Sequence, residues 1–444
     1  MSDEPINSSQ PGSRLKRAML AILVTVALAW WFGGGSYWPR MQATNALAMH
    51  DADTAEWFVR MAIRIGPQNS QNQLLLARVQ REQGDIAGFE QTLESAQELG
   101  VAARLIEIER LLAQAQSGRL EGIQGRLDRL FVTGEADGRV VLDAYVNGCL
   151  AAARLPQAEA LITGWLSAFP DDVQPLYFKG RLLMFYNRNV DAAVVFQSAL
   201  QKQPQHYPAA YLLGQILMQE NRPEEAIVQF ERASHMTFNA APRIAQARAL
   251  RSISKIDEAR AILTSLMALS AEDTTKSFQR VGDRHEGLPT QLELGNLELA
   301  AGNSHEALQW LDPAVEANPG DLSARHARGI ALRGAGRGEE ATLELQAVKD
   351  ARLALREVDE LGDLVNKNPS LIQERVRIGE LYLLHESKLT GEYWLKSALA
   401  RDPHQKRAHQ LLAELYDSYA ARDSRYTQLA NRHREQSIAL EATD

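Results

Sequence analysis

The chain has 444 residues, 45% of them hydrophobic, with 48 Lys and Arg against 56 Asp and Glu. The formal charge of −8 and a pI near 5.8 argue against a nucleic-acid surface, which needs a basic stripe. A single cysteine, Cys149, excludes an internal disulfide and any cysteine cluster for zinc or iron–sulfur.

Residues 1–17 form a polar tail, expected to be disordered, that ends in Arg14, Lys16 and Arg17. An uncharged run follows over residues 18–38, AMLAILVTVALAWWFGGGSYW, long enough to cross a bilayer at about 20 residues. Trp30, Trp31, Tyr37 and Trp38 suit the far interface. Ala27-Leu28-Ala29 is an acceptable signal-peptidase triplet, but Trp30 to Phe32 carry the apolar run past it, which favours an uncleaved transmembrane helix. Three cations precede the span and only Arg40 lies close after it. The positive-inside rule therefore keeps the N-terminus in the cytoplasm and sends the rest into a periplasm or its equivalent.

Beyond the span the period is helical almost throughout. A first array, residues 39–269, opens with Ala55, Ala62 and Pro67. Two irregular units follow, one on Ala77, Phe89 and Ala96 around a turn at Gly84-Asp85, the other on Ile123, Leu127 and Leu130. Val146, Ala158 and Pro170 carry the fourth unit, with bulky Trp165 where a small residue is usual. The clearest copies come next: Gly180, Ala192, Phe196 and Ala199 recur 34 positions on as Gly214, Ala226, Phe230 and Ala233. The small residues let two antiparallel helices approach closely while the Phe fills the gap between them. Arg243 to Ala271 reads as a seventh unit, with Ala259 at the small position.

Residues 270–289 break the pattern: SAEDTTKSFQRVGDRHEGLP is either an inserted loop or a lengthened helix with a mobile end. It is either a contact element or a tolerated insertion. A second array, residues 290–444, restores the signature at Gly295, Ala307, Ala314 and Pro319, then at Gly329 and Ala341. From Glu339 the helical pattern runs without a breaker to about Val365. Gly379, Tyr382, Ala398 and Pro403 give another unit, with Gly391 in place of Ala, and residues 406–441 fit a terminal helix pair with a polar outer face.

No chemistry stands out on these repeats. His404 and His409 are five apart, which does not put them on one helical face, so no metal site is expected. Gly334-Ala335-Gly336-Arg337-Gly338 has neither a preceding strand nor a following Lys-Ser/Thr and falls where a helix–helix turn is needed. Glu224-Glu225 and Glu339-Glu340 sit in first helical turns, where carboxylates favour the positive helix end. With no Gly-x-Ser-x-Gly elbow, neither catalysis nor a cofactor is expected. Cys149 reads as a small core residue.

The 34-residue pattern of Gly180, Ala192, Phe196, Ala199 and Pro204 resembles the tetratricopeptide repeat (TPR) family. That resemblance implies an all-α TPR solenoid of about ten helix-turn-helix repeats, preceded by one transmembrane helix. In the family the first helix of each pair lines a concave groove. Carried over, its ligand-facing positions are Asp143 and Asn147, then Tyr177, Arg181, Met184 and Phe185, then Tyr211, Gln215, Met218 and Gln219. Such a face suits an extended peptide or a partner helix, including a second copy, although Met184 and Phe185 could equally be packing residues. Asp143 stands where carboxylate-clamping TPR units have Lys, so that specialised type is not expected. The apolar span, followed by an uninterrupted repeat array with no site chemistry, leads us to expect a membrane-anchored scaffold for other proteins at a bacterial envelope membrane. The alternative is an accessory subunit of an envelope export, polysaccharide or respiratory assembly system.

Overall fold

The structure is a computed structural model that describes residues 34–235, 239–368, 370–420 and 424–441. These residues form twenty-three α-helices and one 3-10 turn, with no strand among them. The polar tail and most of the expected span lie outside the described residues. Of the span's end, Gly34–Ser36 make the 3-10 turn, Ser36 is buried, and Trp38 stands edge-on to Phe58 at 5.6 Å. Ser36 and the Trp38 ring therefore meet the first repeat helices, while Tyr37 is 60% exposed. No helix among the described residues is long and apolar enough to cross a membrane.

The chain divides into two compact units after Glu109. In the first, α1 (Tyr37–Ala48), α2 (Ala52–Ile65), α3 (Ser70–Gln83) and α4 (Ile86–Glu98) succeed one another. Asp51, Asn69 and Asp85 accept from backbone N–H groups at the starts of α2, α3 and α4, satisfying donors that the helix cannot. Ala43, Ala55, Val59 and Val79 form its core. The next helix, α5 (Ala103–Gln116), runs across the division. Its Glu109 is buried, and Arg78 donates to it at 2.6 Å while Arg81 lies at 3.5 Å, which offsets the desolvation of that carboxylate.

The second unit continues with α6 (Gln124–Thr133), α7 (Gly138–Ala151), α8 (Leu155–Ala168), α9 (Gln174–Phe185), α10 (Asn189–Lys202), α11 (Tyr207–Gln219) and α12 (Pro223–Ala233). Then come α13 (Ala240–Ser252), α14 (Ile256–Leu266), α15 (Ala271–Arg280), α16 (Pro289–Ala300), α17 (Ser304–Ala317) and α18 (Leu322–Gly334). The last are α19 (Gly338–Lys367), α20 (Ile372–His385), α21 (Lys388–Leu399), α22 (Lys406–Ala420) and α23 (Ser424–Glu441).

One contact recurs. A Cβ on Gly180 would sit 2.4 Å from the Phe196 ring, one on Gly214 2.6 Å from Phe230, and one on Gly295 2.4 Å from Leu311. Gly329 meets Leu345 and Gly379 meets Leu395 in the same way. Each pair joins a first helix to the second helix of its own unit at contact distance. Gly391 has its own reason: a Cβ there would lie 2.6 Å from Leu383 and 2.8 Å from the Gly379 carbonyl. The bulky Trp165 of α8 is buried and donates through Nε1 to Asp172 at 2.9 Å, fastening the start of the next unit.

The turn between paired helices repeats as well. Ala153, Asn187 and Asn221 adopt φ of 55°, 56° and 57°, in the left-handed region. Asn tolerates that conformation, whereas Ala pays for its Cβ.

The irregular stretch is neither a plain loop nor an extension of α14. Ser270 caps a separate helix, α15, by accepting from Asp273 N at 3.0 Å. Its apolar face, with Phe278 buried, packs on α13, where Ser277 Oγ accepts from Ala241 N at 2.9 Å. Residues 281–288 then form a loop. The long α19 has 30 residues because it serves two units. Its first half receives Arg325 and Arg328 of α18 on Glu344, and its second half packs Val358 and Val365 against Ile378 and Leu381 of α20.

At the C-terminal end, His409 of α22 and His433 of α23 face each other, Nδ1 to Nδ1, at 2.8 Å. His409 Nε2 lies 2.9 Å from the Pro403 carbonyl, which can only accept. His409 therefore carries its proton on Nε2 and accepts from His433 Nδ1–H. Burial first, then the neighbouring His409, lowers His433 from the usual 6.5 to about 4.

Two outcomes follow from this packing. Phe196→Ala should destabilise the chain by roughly 3–5 kcal/mol, whereas Ala153→Gly should stabilise it by about 1 kcal/mol, both read by urea denaturation. The unfolded chain takes up a proton at His433 near pH 6.5 that the folded chain refuses until about 4. Stability from this site is thus complete above pH 6.5 and is lost as pH falls through that window. Melting curves between pH 7.5 and 4.5 should show part of the acid loss disappearing in His433→Asn.

Candidate partner-binding groove

The first helices of successive units stand side by side, so side chains 31 to 34 positions apart meet across units. Gln174 of α9 donates through Nε2 to Asp143 of α7 at 2.7 Å, and His206 Nε2 lies 3.0 Å from Gln174 Oε1. Because His206 Nδ1 accepts from Ala209 N at 3.2 Å, its Nε2 carries the proton and donates. All three side chains are buried, so this row sets the stacking of three units and is closed to a ligand. Asp143 belongs to it.

The remaining candidates lie further along the same helices. Arg181 Nη1 donates to Asn147 Oδ1 at 3.3 Å, one repeat away, and its guanidinium lies 5.6 Å from the Tyr177 ring centre. Gln215 Nε2 donates to Tyr211 Oη at 2.7 Å. Asn147, Tyr177, Arg181, Tyr211 and Gln215 thus fall on neighbouring helices α7, α9 and α11. Tyr177 and Tyr211 are only 5% and 1% exposed. Met184 and Met218 are half-buried. Gln219 is exposed and accepts from Asn189 Nδ2 at 2.9 Å. Phe185, 41% exposed, stacks on Tyr393 of α21 at 5.2 Å between ring centres with planes 13° apart.

What covers the two tyrosines is the chain itself. Tyr211 Oη donates to Asp283 Oδ2 at 2.7 Å. Gly282, at φ 72°, lies so close that a Cβ would be 2.2 Å from Tyr177 Oη and 3.4 Å from the Arg181 guanidinium. Further along, Glu286 Oε1 accepts from Leu389 N at 3.0 Å, and a Cβ on Gly287 would meet Asn318 at 2.9 Å. The loop after α15 therefore spans from α9 and α11 to α21. Burial first, then Asp283, holds the Tyr211 hydroxyl well above the ordinary phenol range, so it remains a donor.

Beside the loop lies a cavity of about 230 Å³, bordered by Tyr211, Gln215, Arg248, Asp283, Arg284 and Asp321. It is smaller than the roughly 300–1,000 Å³ of a small-molecule site, and suits one or two side chains of a docked segment. Arg248 donates to buried Glu293 at 2.7 Å, and Glu293 raises its already high basicity, so it stays charged at the cavity wall. Among the described residues no group of three or more His, Cys, Asp or Glu could hold a metal ion. The arrangement offers hydrogen-bond donors and aromatic faces.

Sequence reasoning placed Tyr177, Arg181, Tyr211 and Gln215 on one face but missed Asp283, Glu286, Arg248 and Tyr393. Gly282 and Gly287 inside the irregular stretch were the available signal, since a glycine at positive φ often marks a close approach.

Tetratricopeptide repeat models match residues 183–251 and 292–354. No curated protein matches the chain. Among solved structures, YrrB, described as a TPR protein with an unusual peptide-binding site, is 19% identical, with 48% of this chain and 95% of that one covered and a TM-score of 0.26. A human IFIT1 dimer with PPP-AAAA is 15% identical over 89% of this chain and 94% of that one, with a TM-score of 0.41. The Cut9-Hcn1 hetero-tetramer of the APC/C is 14% identical over 96% of each chain, with a TM-score of 0.33. The chain carries tetratricopeptide repeats at residues 183–251 and 292–354, and its described residues are all-α.

Proposed function

We propose that this chain is a membrane-anchored scaffold that holds partner proteins at a bacterial envelope membrane, with its repeats on the extracytoplasmic side. The observation that carries the reading is the junction at residues 18–38. An uncharged apolar run behind Arg14, Lys16 and Arg17 is separated from α1 by only Gly33, Gly34, Gly35 and Ser36. A helix in the bilayer would then hand the chain directly to the repeat array, which keeps the array at the membrane surface. TPR arrays serve as protein-interaction scaffolds, and the donors and rings of Asn147, Tyr177, Arg181, Tyr211 and Gln215 suit a peptide backbone with polar side chains. Met184, Phe185 and Gln219 extend that face towards the ends of α9 and α11.

Val24→Arg together with Leu28→Arg should move the chain from the membrane to the soluble fraction, since each arginine costs about 2.5–3.5 kcal/mol at the centre of a span. An unchanged membrane fraction would remove the anchor from the proposal. A reporter fused after Asp444 that is active only in the cytoplasm would reverse the orientation. Cross-linking in intact membranes should capture proteins that Arg181→Ala or Tyr211→Ala releases; capture that survives both moves the binding face elsewhere.

A further inference from the structure

The first helix of the first unit is apolar on two sides. Pro39, Ala43 and Ala46 of α1 are buried, while Tyr37, Trp38, Met41 and Met49, which fall within about 120° of one another on the opposite side of the helix, are all exposed. A helix apolar on both sides is ordinarily covered on both. The exposed side continues onto α2. Trp38 stands edge-on to Phe58, and Phe58 stands edge-on to Trp57 at 4.8 Å between ring centres, with Trp57 itself 62% exposed. Trp38 and Trp57 are the two exposed tryptophans among the described residues. Cations border the patch. Arg40 lies 5.8 Å from the Tyr37 ring centre, Arg60 and Arg64 follow Trp57 by one and two turns of α2, with Arg60 held by Glu56 at 2.6 Å, and α1 carries no acidic residue.

We propose that the face made by Tyr37, Trp38, Met41 and Trp57 rests in the headgroup layer of a phospholipid bilayer, so that the first unit meets the membrane through folded surface as well as through its anchor. The proposal rests on the reading of residues 18–38 as that anchor. Where the apolar run stops argues for the occupant. Phe32 is its last residue before Gly33, Gly34, Gly35 and Ser36, and five residues of extended chain reach at most roughly 17 Å, so α1 begins within that distance of the run. Tyr37 and Trp38 sit where the end of a span alone would put an aromatic belt. Trp57 does not: it belongs to the next helix, and the packing of α1 on α2 brings its ring into the same surface. The composition suits this layer, because indole and phenol rings with a polar edge settle at headgroup depth. Arg40, Arg60 and Arg64 can offer their charge to phosphates while their stems lie along apolar surface. A protein partner on this face would have to compete with the bilayer that the anchor holds beside it.

The test uses the full chain reconstituted into vesicles of phosphatidylcholine and phosphatidylglycerol in equal parts, with an environment-sensitive fluorophore on Trp57→Cys. A second protein carries the fluorophore on Val228→Cys, which is also exposed; the natural Cys149 is buried and stays unlabelled. Both proteins should float with the vesicles. Phosphatidylcholine bearing a nitroxide close to its headgroup should quench the Trp57→Cys label at least threefold more than the Val228→Cys label. Equal quenching of the two would overturn the proposal, and flotation would leave the anchor standing. A Trp57→Cys label that is blue-shifted but unquenched would assign the face to residues 18–32 or to another protein, which overturns the proposal as well. A chain that does not float would remove the anchor and this surface together. If Trp57→Cys does not fold, Met41→Cys takes its place with the same outcomes.

Discussion

The absence of a single carbon atom governs this architecture. Gly180, Gly214, Gly295, Gly329 and Gly379 each bring a first helix against a large side chain of the second helix in the same unit, at a distance no Cβ would allow. The facing residue is Phe in two units and Leu in the others, and it is always the sixteenth after the glycine. Size on one helix is traded for absence on the other, which fixes the spacing of the pair. Every other regularity of the array is built on that spacing.

Once the pair is fixed, the first helices have no freedom to stack in more than one register. The buried row of Asp143, Gln174 and His206 exists because the middle of α7, the first residue of α9 and the residue that caps α11 are brought within hydrogen-bond reach. Its proton order runs one way only, from His206 to Gln174 to Asp143. On the same helices, Tyr177 and Tyr211 are held at a level where the loop after α15 can touch both. The groove is therefore a by-product of unit packing, and its chemistry is decided by which side chains happen to stand one and two turns beyond the buried row.

The repeats were legible because their signals are local. Small residues and an aromatic recurring after 34 positions need no knowledge of distant chain, and Gly180 to Ala233 display them plainly. The long helix after Glu339 was legible for the same reason, as an uninterrupted period. Residues 270–289 were not: a capped helix with one apolar face, Thr274 and Phe278 among it, is diluted by seven charged residues into a stretch that reads equally as an inserted loop or a lengthened helix. The occupant of the groove was hidden for a different reason. Asp283 and Tyr211 are 72 positions apart, and Glu286 and Leu389 are 103 apart; periodicity carries no information about such pairings. Phe185 and Tyr393 illustrate the same limit, since neither residue announces the other.

An array of repeats ordinarily behaves as a one-dimensional chain of neighbours, in which each unit can melt with little regard for units several places away. The loop that runs from Tyr211 to Leu389 N changes that arithmetic. It ties α11 to α21 across the intervening units, so those units sit inside a closed circuit in place of an open ladder. Opening any one of them strains a contact that belongs to two others, and the energy of that strain is shared by the whole segment. Cooperativity in this part of the molecule is thus set by one short irregular stretch, while the regular helices around it supply the bulk of the buried surface.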